Sequence, residues 1–444
     1  MKIAIDLDNT IIDYSQVWPN LFYKKYKIKN LNKKQIKNFC KKRPTWPQNW
    51  IELQGECYGS FIHRAIIYKG FEEFCQSSSY TIDIVSHKTK KSLCGNYDLQ
   101  KEALQFLSKQ SFIKKINKVY FFNNIEEKTK WINKNYDVCI DDLDEVLERV
   151  DIQKIQFGSP LHSSFQHTFS NWKHAPYLIE ILTQSNQKGY LKNFSQKPER
   201  LDTEVFYLRA LKNSATFKTP AILFYNKYFL LTEKLLIKNV NEFNEKSLKT
   251  IFSFINHLQS IATRQNATHA IFNTDEYIKQ IHLRFNSLTN KTVKLEQLYE
   301  KIISKKHSYV SCDTPSICFP DFFKGNFNFD NKKQLVITDF ESVGFDDPAR
   351  SFLNFLHHFG HSVSLNEIQL VLNAFIENYG PSLQKRIKAY IDLNAFEWIL
   401  ISYNRAVNEG STATCFIDKK IDLMNQRAKA EKDTWSWQHD KLYL

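Results

Sequence analysis

Residues 1–13, MKIAIDLDNTIID, drive a β-branched apolar strand into Asp6 and Asp8 at its carboxyl end. An isolated carboxylate taken out of water loses several kcal/mol of solvation, so acids gathered at a strand end imply something positive bound among them. Working outward, three further strands follow: YTIDIVSHKTK (80–90) with Ser86 at its end, KVYFFNN (118–124), and YDVCIDD (136–142) closing on Asp141 and Asp142. Helical patterns separate them, DLQKEALQFLSKQ (98–110) and EEKTKWINKN (126–135). Strands alternating with helices predict a doubly wound parallel sheet, and such sheets bind ligands beyond the carboxyl ends of their strands. Between Thr10 and Ser86 the chain is helix-like, interrupted by the turn signals RPTWPQNW and YKG.

At 444 residues the chain exceeds one hydrophobic core, and two or three domains are expected. Its 42% hydrophobic and 24% charged residues exclude a disordered class. A net charge of +14 suits anionic partners, although the lysines are spread along the chain as a solvated surface would have them. The dense exception is KKYKIKNLNKKQIKNFCKKR (24–43), a basic amphipathic helical surface. Eight cysteines without a C-x-x-C pair fit a reducing cytoplasm. No stretch approaches 18 uninterrupted apolar residues, so neither secretion nor membrane spanning is expected.

The first set of polar strand ends has the parts of a phosphatase. Asp6 can attack phosphorus and form an aspartyl-phosphate, while Asp8 protonates the leaving oxygen and later deprotonates water. The Ser86 hydroxyl and an ammonium, Lys128 or Lys130, can hold phosphoryl oxygens. Asp141 and Asp142 complete an oxygen-ligand site for Mg²⁺ with Asp6 and Asp8. His87, Lys88 and Lys90 in SHKTK could touch an anionic substrate or be exposed loop residues. This order of residues closely resembles the haloacid dehalogenase-like (HAD) hydrolase superfamily over residues 1–170. The resemblance implies Asp6 as nucleophile, Asp8 as acid/base, Ser86 and Lys128 (alternatively Lys130) as phosphate-holding groups, and a helical cap over about 13–80 that selects substrates.

After IQKIQFGSP (152–160) the αβ rhythm fades, and a Ser/His-rich connector leads, from about residue 177, to a β-like stretch carrying KGYLKNF. Residues 316–348, SICFPDFFKGNFNFDNKKQLVITDFESVGFDDP, supply Asp321, then Asn326, then Asp339 at the end of an apolar strand. A phosphoryl transferase needs a carboxylate to accept a hydroxyl proton, an amide for one metal, and a carboxylate bridging metal and nucleotide. This segment resembles the aminoglycoside phosphotransferase and choline kinase-like superfamily over residues 178–444. The resemblance implies Asp321 as catalytic base, Asn326 and Asp339 as Mg²⁺ ligands, and Lys192 with Glu204 (in GYLKNFSQKPERLDTEVFYLRAL, 189–211) as the phosphate lysine and its partner. It also implies Glu233 and Leu235, in FLLTEKL, as backbone contacts to adenine. Two departures stand out: Phe319 replaces the histidine of the usual H-x-D, and the front of the lobe has room for about one hairpin, with no glycine-rich phosphate cover.

The expected architecture is therefore α/β, a HAD-like doubly wound parallel sheet with a helical cap, followed by an α+β protein-kinase-like domain with a shortened N-lobe. The expected function is a bifunctional cytoplasmic enzyme: a Mg²⁺-dependent phosphatase for a small phosphorylated metabolite joined to an ATP-dependent kinase for a hydroxyl acceptor. Two alternatives stay open, a kinase-like domain that binds without turnover and a nucleic-acid end-processing enzyme. The latter lacks the G-x-x-x-x-G-K-[ST] P-loop of its usual kinase half. The substrates, the oligomeric state and the use of the aromatic tail DTWSWQHDKLYL are not written in the sequence.

Overall fold

A computed structural model describes every residue except 30, 159–166, 185–188, 196, 213, 215, 236, 241, 262–273, 289–290, 305–315, 359–362 and 409–444, so the aromatic tail lies outside the described residues. The chain forms two compact units, Met1–Asn186 and Gln187–Leu444. The division falls later than the expected 170/178 boundary. The β-like stretch expected from about residue 177 starts later: its strand is Gly189–Asn193, within KGYLKNF. Ala175–Gln184 is a helix of the first unit, with Pro176 in its first turn, where a missing amide costs nothing.

The first unit is built on six parallel strands in the spatial order Ile116–Phe122, Thr81–His87, Lys2–Ile5, Val138–Asp141, Gln153–Phe157, Thr168–Phe169. Counted along the chain, that order is 3-2-1-4-5-6, and the sheet reverses direction between Lys2–Ile5 and Val138–Asp141. This reversal opens the crevice in which doubly wound sheets hold ligands. Thr81–His87 is buried continuously along its middle, as a strand covered on both faces requires. Helix Ile125–Asn135 starts from an Asn124 cap accepting from the Glu127 amide, and its buried face carries Lys128 and Ile132, four residues apart.

The insert after the first strand contains helices Val17–Tyr26, Lys33–Lys41, Gln48–Tyr58 and Phe71–Ser77. Its foot is closed by a two-residue antiparallel pair, Ile12–Asp13 against Ile66–Ile67.

The second unit carries a three-stranded antiparallel sheet, Ile222–Tyr225, Phe229–Glu233, Gly189–Asn193, and helix Glu199–Ala210. A four-stranded sheet joins Phe217–Lys218, Leu335–Ile337, Phe327–Phe329 and Lys238–Asn239, and a ladder pairs Ser316–Cys318 with Gly344–Asp346. Its larger part is helical, with every residue of Pro348–His357 buried against long helices such as Ser382–Asn408. Among the described residues of this unit, one strand precedes Glu199–Ala210, in keeping with a short front.

Candidate functional sites

At the switch point of the first unit, Lys128 Nζ lies 2.6 Å from Asp6 Oδ1 and 2.6 Å from Asp141 Oδ2, with all three residues buried. Lys128 reaches the crevice because it shares the buried helical face with Ile132. Lys130 faces outward, 74% exposed, and pairs with Glu126, so the alternative lysine is not in the site. Oxygens of Asp6, Asp141 and Asp142 lie within 4.8 Å of one another. Three carboxylates facing one ammonium leave a negative excess of oxygen ligands, a donor set that fits Mg²⁺. Burial pushes the Asp6 carboxyl up to about 6; Lys128 pulls it down, while Asp141 and Asp8 push it further up. Asp142 is likewise held well above the ordinary carboxylate range by burial and by Asp141 and Asp6. Burial pulls the Lys128 ammonium down, but Asp141 and Asp6 outweigh it and hold its pKa above the ordinary lysine value.

Asp8 stands apart from that trio. Its Oδ2 lies 2.7 Å from Lys88 Nζ, and its Oδ1 accepts from the Tyr14 hydroxyl at 2.7 Å. Both oxygens are thereby oriented. Lys88 is buried and not an exposed loop residue, whereas His87 is exposed, with Nε2 3.1 Å from the Asn123 carbonyl. The Ser86 hydroxyl is buried with no hydrogen-bond partner among the described residues, an orphan that a ligand oxygen would satisfy. Asn9 turns the loop after Asp8 with a left-handed φ of 63°, and Thr10 Oγ1 approaches Asp142 Oδ1 at 3.5 Å. A cleft of about 520 Å³ opens from Asp6, Asp8, Ser86 and Asp142 towards Lys33 and Tyr58 of the insert.

In the second unit Lys192 Nζ lies 2.8 Å from both Glu204 Oε1 and Asp339 Oδ1. A strand, a helix and a loop 147 residues away thus meet at one ammonium. Asp339 has a left-handed φ of 69°, a conformation that non-glycine residues keep mainly where their surroundings impose it. Burial raises Glu204 to about 7, offset by Lys192, with Asp339 pushing in the same direction as burial. Asp321 is raised to about 7, by burial first and the nearby Asp339 second. Asn326 Nδ2 donates to the Asp321 carbonyl at 2.9 Å and fixes the loop between them. Glu233 ends its strand with its amide bonded to the Ala221 carbonyl at 2.8 Å, and the half-buried Leu235 follows two residues on.

Phe319 is buried among Phe254, Phe327 and Phe340, so apolar packing occupies the position of the expected imidazole. Another imidazole arrives from elsewhere. His358, stacked on Phe323 at 4.0 Å, places Nε2 3.8 Å from Asp321 Oδ1. No motif marks it, because it reaches the loop only through the length of helix Pro348–His357. In the run GFDDP, Asp346 pairs with Arg350, while Asp347 caps that same helix and pairs with Arg386 at 3.0 Å. Beside Asp321 lies a cavity of about 420 Å³ whose walls include Arg200, Arg284, Glu341, Arg350 and Glu397.

No protein-family model matches the chain, and no curated protein matches it significantly. Among solved structures it is similar to the gentamicin–APH(2")-IIa complex, at 18% identity and a TM-score of 0.40 over 54% of this chain and 86% of that one. It is similar also to the GDP complex of aminoglycoside 2'-phosphotransferase-IIIa, at 14% and 0.41 over 56% and 97%. A third is the choline kinase LicA from Streptococcus pneumoniae, at 17% and 0.39 over 55% and 87%. At these levels of likeness a functional reading rests on this chain's own side chains. Among the described residues no helix is long and apolar enough to cross a membrane.

Proposed function

We propose that the chain carries two phosphoryl-transfer sites, a Mg²⁺-dependent HAD-type phosphatase in the first unit and an ATP-dependent small-molecule kinase in the second. One observation carries both halves: in each unit a lysine bridges two carboxylates at 2.6–2.8 Å, one of them more than 120 residues away in the chain.

In the first site Asp6 attacks phosphorus of a phosphomonoester. The ester P–O bond breaks as Asp8, which must enter this step protonated, gives its proton to the leaving oxygen, and Asp8 then takes a proton from the water that releases phosphate and restores Asp6. Ser86 and Lys128 receive the phosphoryl oxygens. Mg²⁺, held by Asp6, Asp141 and Asp142, would supply neutralisation of the phosphoryl charge.

In the second site Asp321 accepts the proton of the acceptor hydroxyl. Lys192, steadied by Glu204, contacts the nucleotide phosphates, and Asn326 with Asp339 would hold its Mg²⁺. The Glu233 carbonyl and Leu235 amide are offered to the adenine. A second reading, binding without turnover, is favoured by the burial of Phe319 in an apolar cluster and by there being, among the described residues of this unit, one strand before helix Glu199–Ala210.

Reciprocal substitution tests the proposal. Asp6→Asn is expected to lower phosphate release from a panel of phosphomonoesters by roughly 10⁴-fold or more, as loss of a nucleophile does, without altering ADP formation. Asp339→Asn is expected to lower ADP formation about a hundredfold or more and leave phosphatase activity intact. Loss of both activities in either variant contradicts two independent sites, and Mg-ATP binding without ADP from any hydroxylated acceptor establishes the second reading.

A further inference from the structure

The insert contributes one cation to the first cleft that no carboxylate claims. Lys33, at the start of helix Lys33–Lys41, is half-buried, with Nζ 3.1 Å from the Tyr58 hydroxyl. Its ammonium lies 5.6 Å from the centre of the Trp18 ring and 5.8 Å from that of Tyr58. Trp18 is itself fixed by stacking on Trp50 at 4.9 Å. Aromatic faces and a phenol thus position the charge without neutralising it. The other lysine of the cleft, Lys88, is neutralised by Asp8 at 2.7 Å, and nearby Lys25 of the insert by Glu52 at 2.6 Å. Among the described residues Lys33 forms no ion pair, and it borders the same 520 Å³ cleft as Asp6, Asp8 and Asp142.

The cleft is therefore two-ended. The sheet end holds the reacting phosphate between Ser86, Lys128 and the carboxylate trio. The insert end offers an ammonium and a phenol across walls that include Ile51, Leu93 and Leu99. A substrate carrying a phosphate alone would leave the partly desolvated Lys33 with no partner at ion-pair distance and only the longer-range pull of Asp142. One with a second anionic group on an apolar body satisfies both ends.

We infer that Lys33, assisted by Tyr58, is the specificity-determining residue of the first site, and that its substrates are phosphomonoesters bearing a second anionic group, a carboxylate or another phosphate. This rests on the phosphatase reading above, and it selects among substrates without entering the chemical step.

Phenyl phosphate and its 2-, 3- and 4-carboxy derivatives form the test series, with kcat/KM for phosphate release measured on the full chain. At least one carboxylated ester is expected to exceed phenyl phosphate by about tenfold, the value of one charge-assisted hydrogen bond, and the gain to lie in KM. Lys33→Met should collapse that ratio to about one, Lys33→Arg should retain most of it, and Lys25→Met should leave it unchanged. A ratio surviving in Lys33→Met, or an equal loss on every ester, overturns the role of Lys33. Failure of the underlying reading looks different: Asp6→Asn would still release phosphate from the whole series.

Discussion

The two sites share a motif and differ in depth. In the first unit the side chains of Lys128, Asp6 and Asp141 are 1%, 7% and 0% exposed, so the bridge lies deep, with Asp6 at the floor of the cleft. In the second, Glu204 is sealed at 2%, but Lys192 and Asp339 are 16% and 32% exposed. The first lysine sits inside a cluster that would otherwise repel itself. The second spans from a buried anchor to an acid that water, and on our reading a nucleotide with its metal, can reach. The same three charges thus serve as internal ballast in one unit and as an entrance in the other.

Stability gives the largest contrast. Lys128→Met strands two buried carboxylates and is expected to cost ~3–5 kcal/mol. Lys192→Met strands one buried carboxylate beside one that water can solvate, and ~1–3 kcal/mol is expected. Urea unfolding of the two variants measures the gap, and equal losses would break the distinction in depth.

Metal dependence comes next. Excess chelator is expected to reduce phosphate release at least about a hundredfold, because the Asp6, Asp141 and Asp142 oxygens then face a phosphate with only Lys128 to offset them. Unchanged hydrolysis in chelator would mean that the lysine suffices.

The smallest effect is on pH. Asp321 must be ionised to take a hydroxyl proton, and burial raises it to about 7. Protonation on lowering the pH removes the base, so kcat/KM for ADP formation should fall about tenfold per unit below about pH 7 and level off above it. A profile flat down to pH 5 would show that Asp321 is not the base.

The meeting of these side chains was partly legible in the chain. Strand-end acids separated by helical patterns pointed to the crevice at the sheet reversal, and Lys128 could be preferred to Lys130. The structure adds why: Lys128 shares the apolar face with Ile132, while Lys130 shares the solvated one with Glu126. What stayed hidden depends on contacts across long separations. Lys88 looked like loop punctuation because Asp8, the partner that permits its burial, lies 80 residues earlier. His358 reaches Asp321 only through tertiary packing. Helix Ala175–Gln184 was misread because a short apolar run does not distinguish strand from helix by period alone.

The paired strands Ile12–Asp13 and Ile66–Ile67 bring the two ends of the insert side by side at its foot. The chain leaves the first strand and comes back towards the sheet through one narrow gate, so whatever is built beyond the gate makes little demand on the sheet. A change in the length or packing of those helices is therefore absorbed on the far side of the gate, leaving the strand ends where they are.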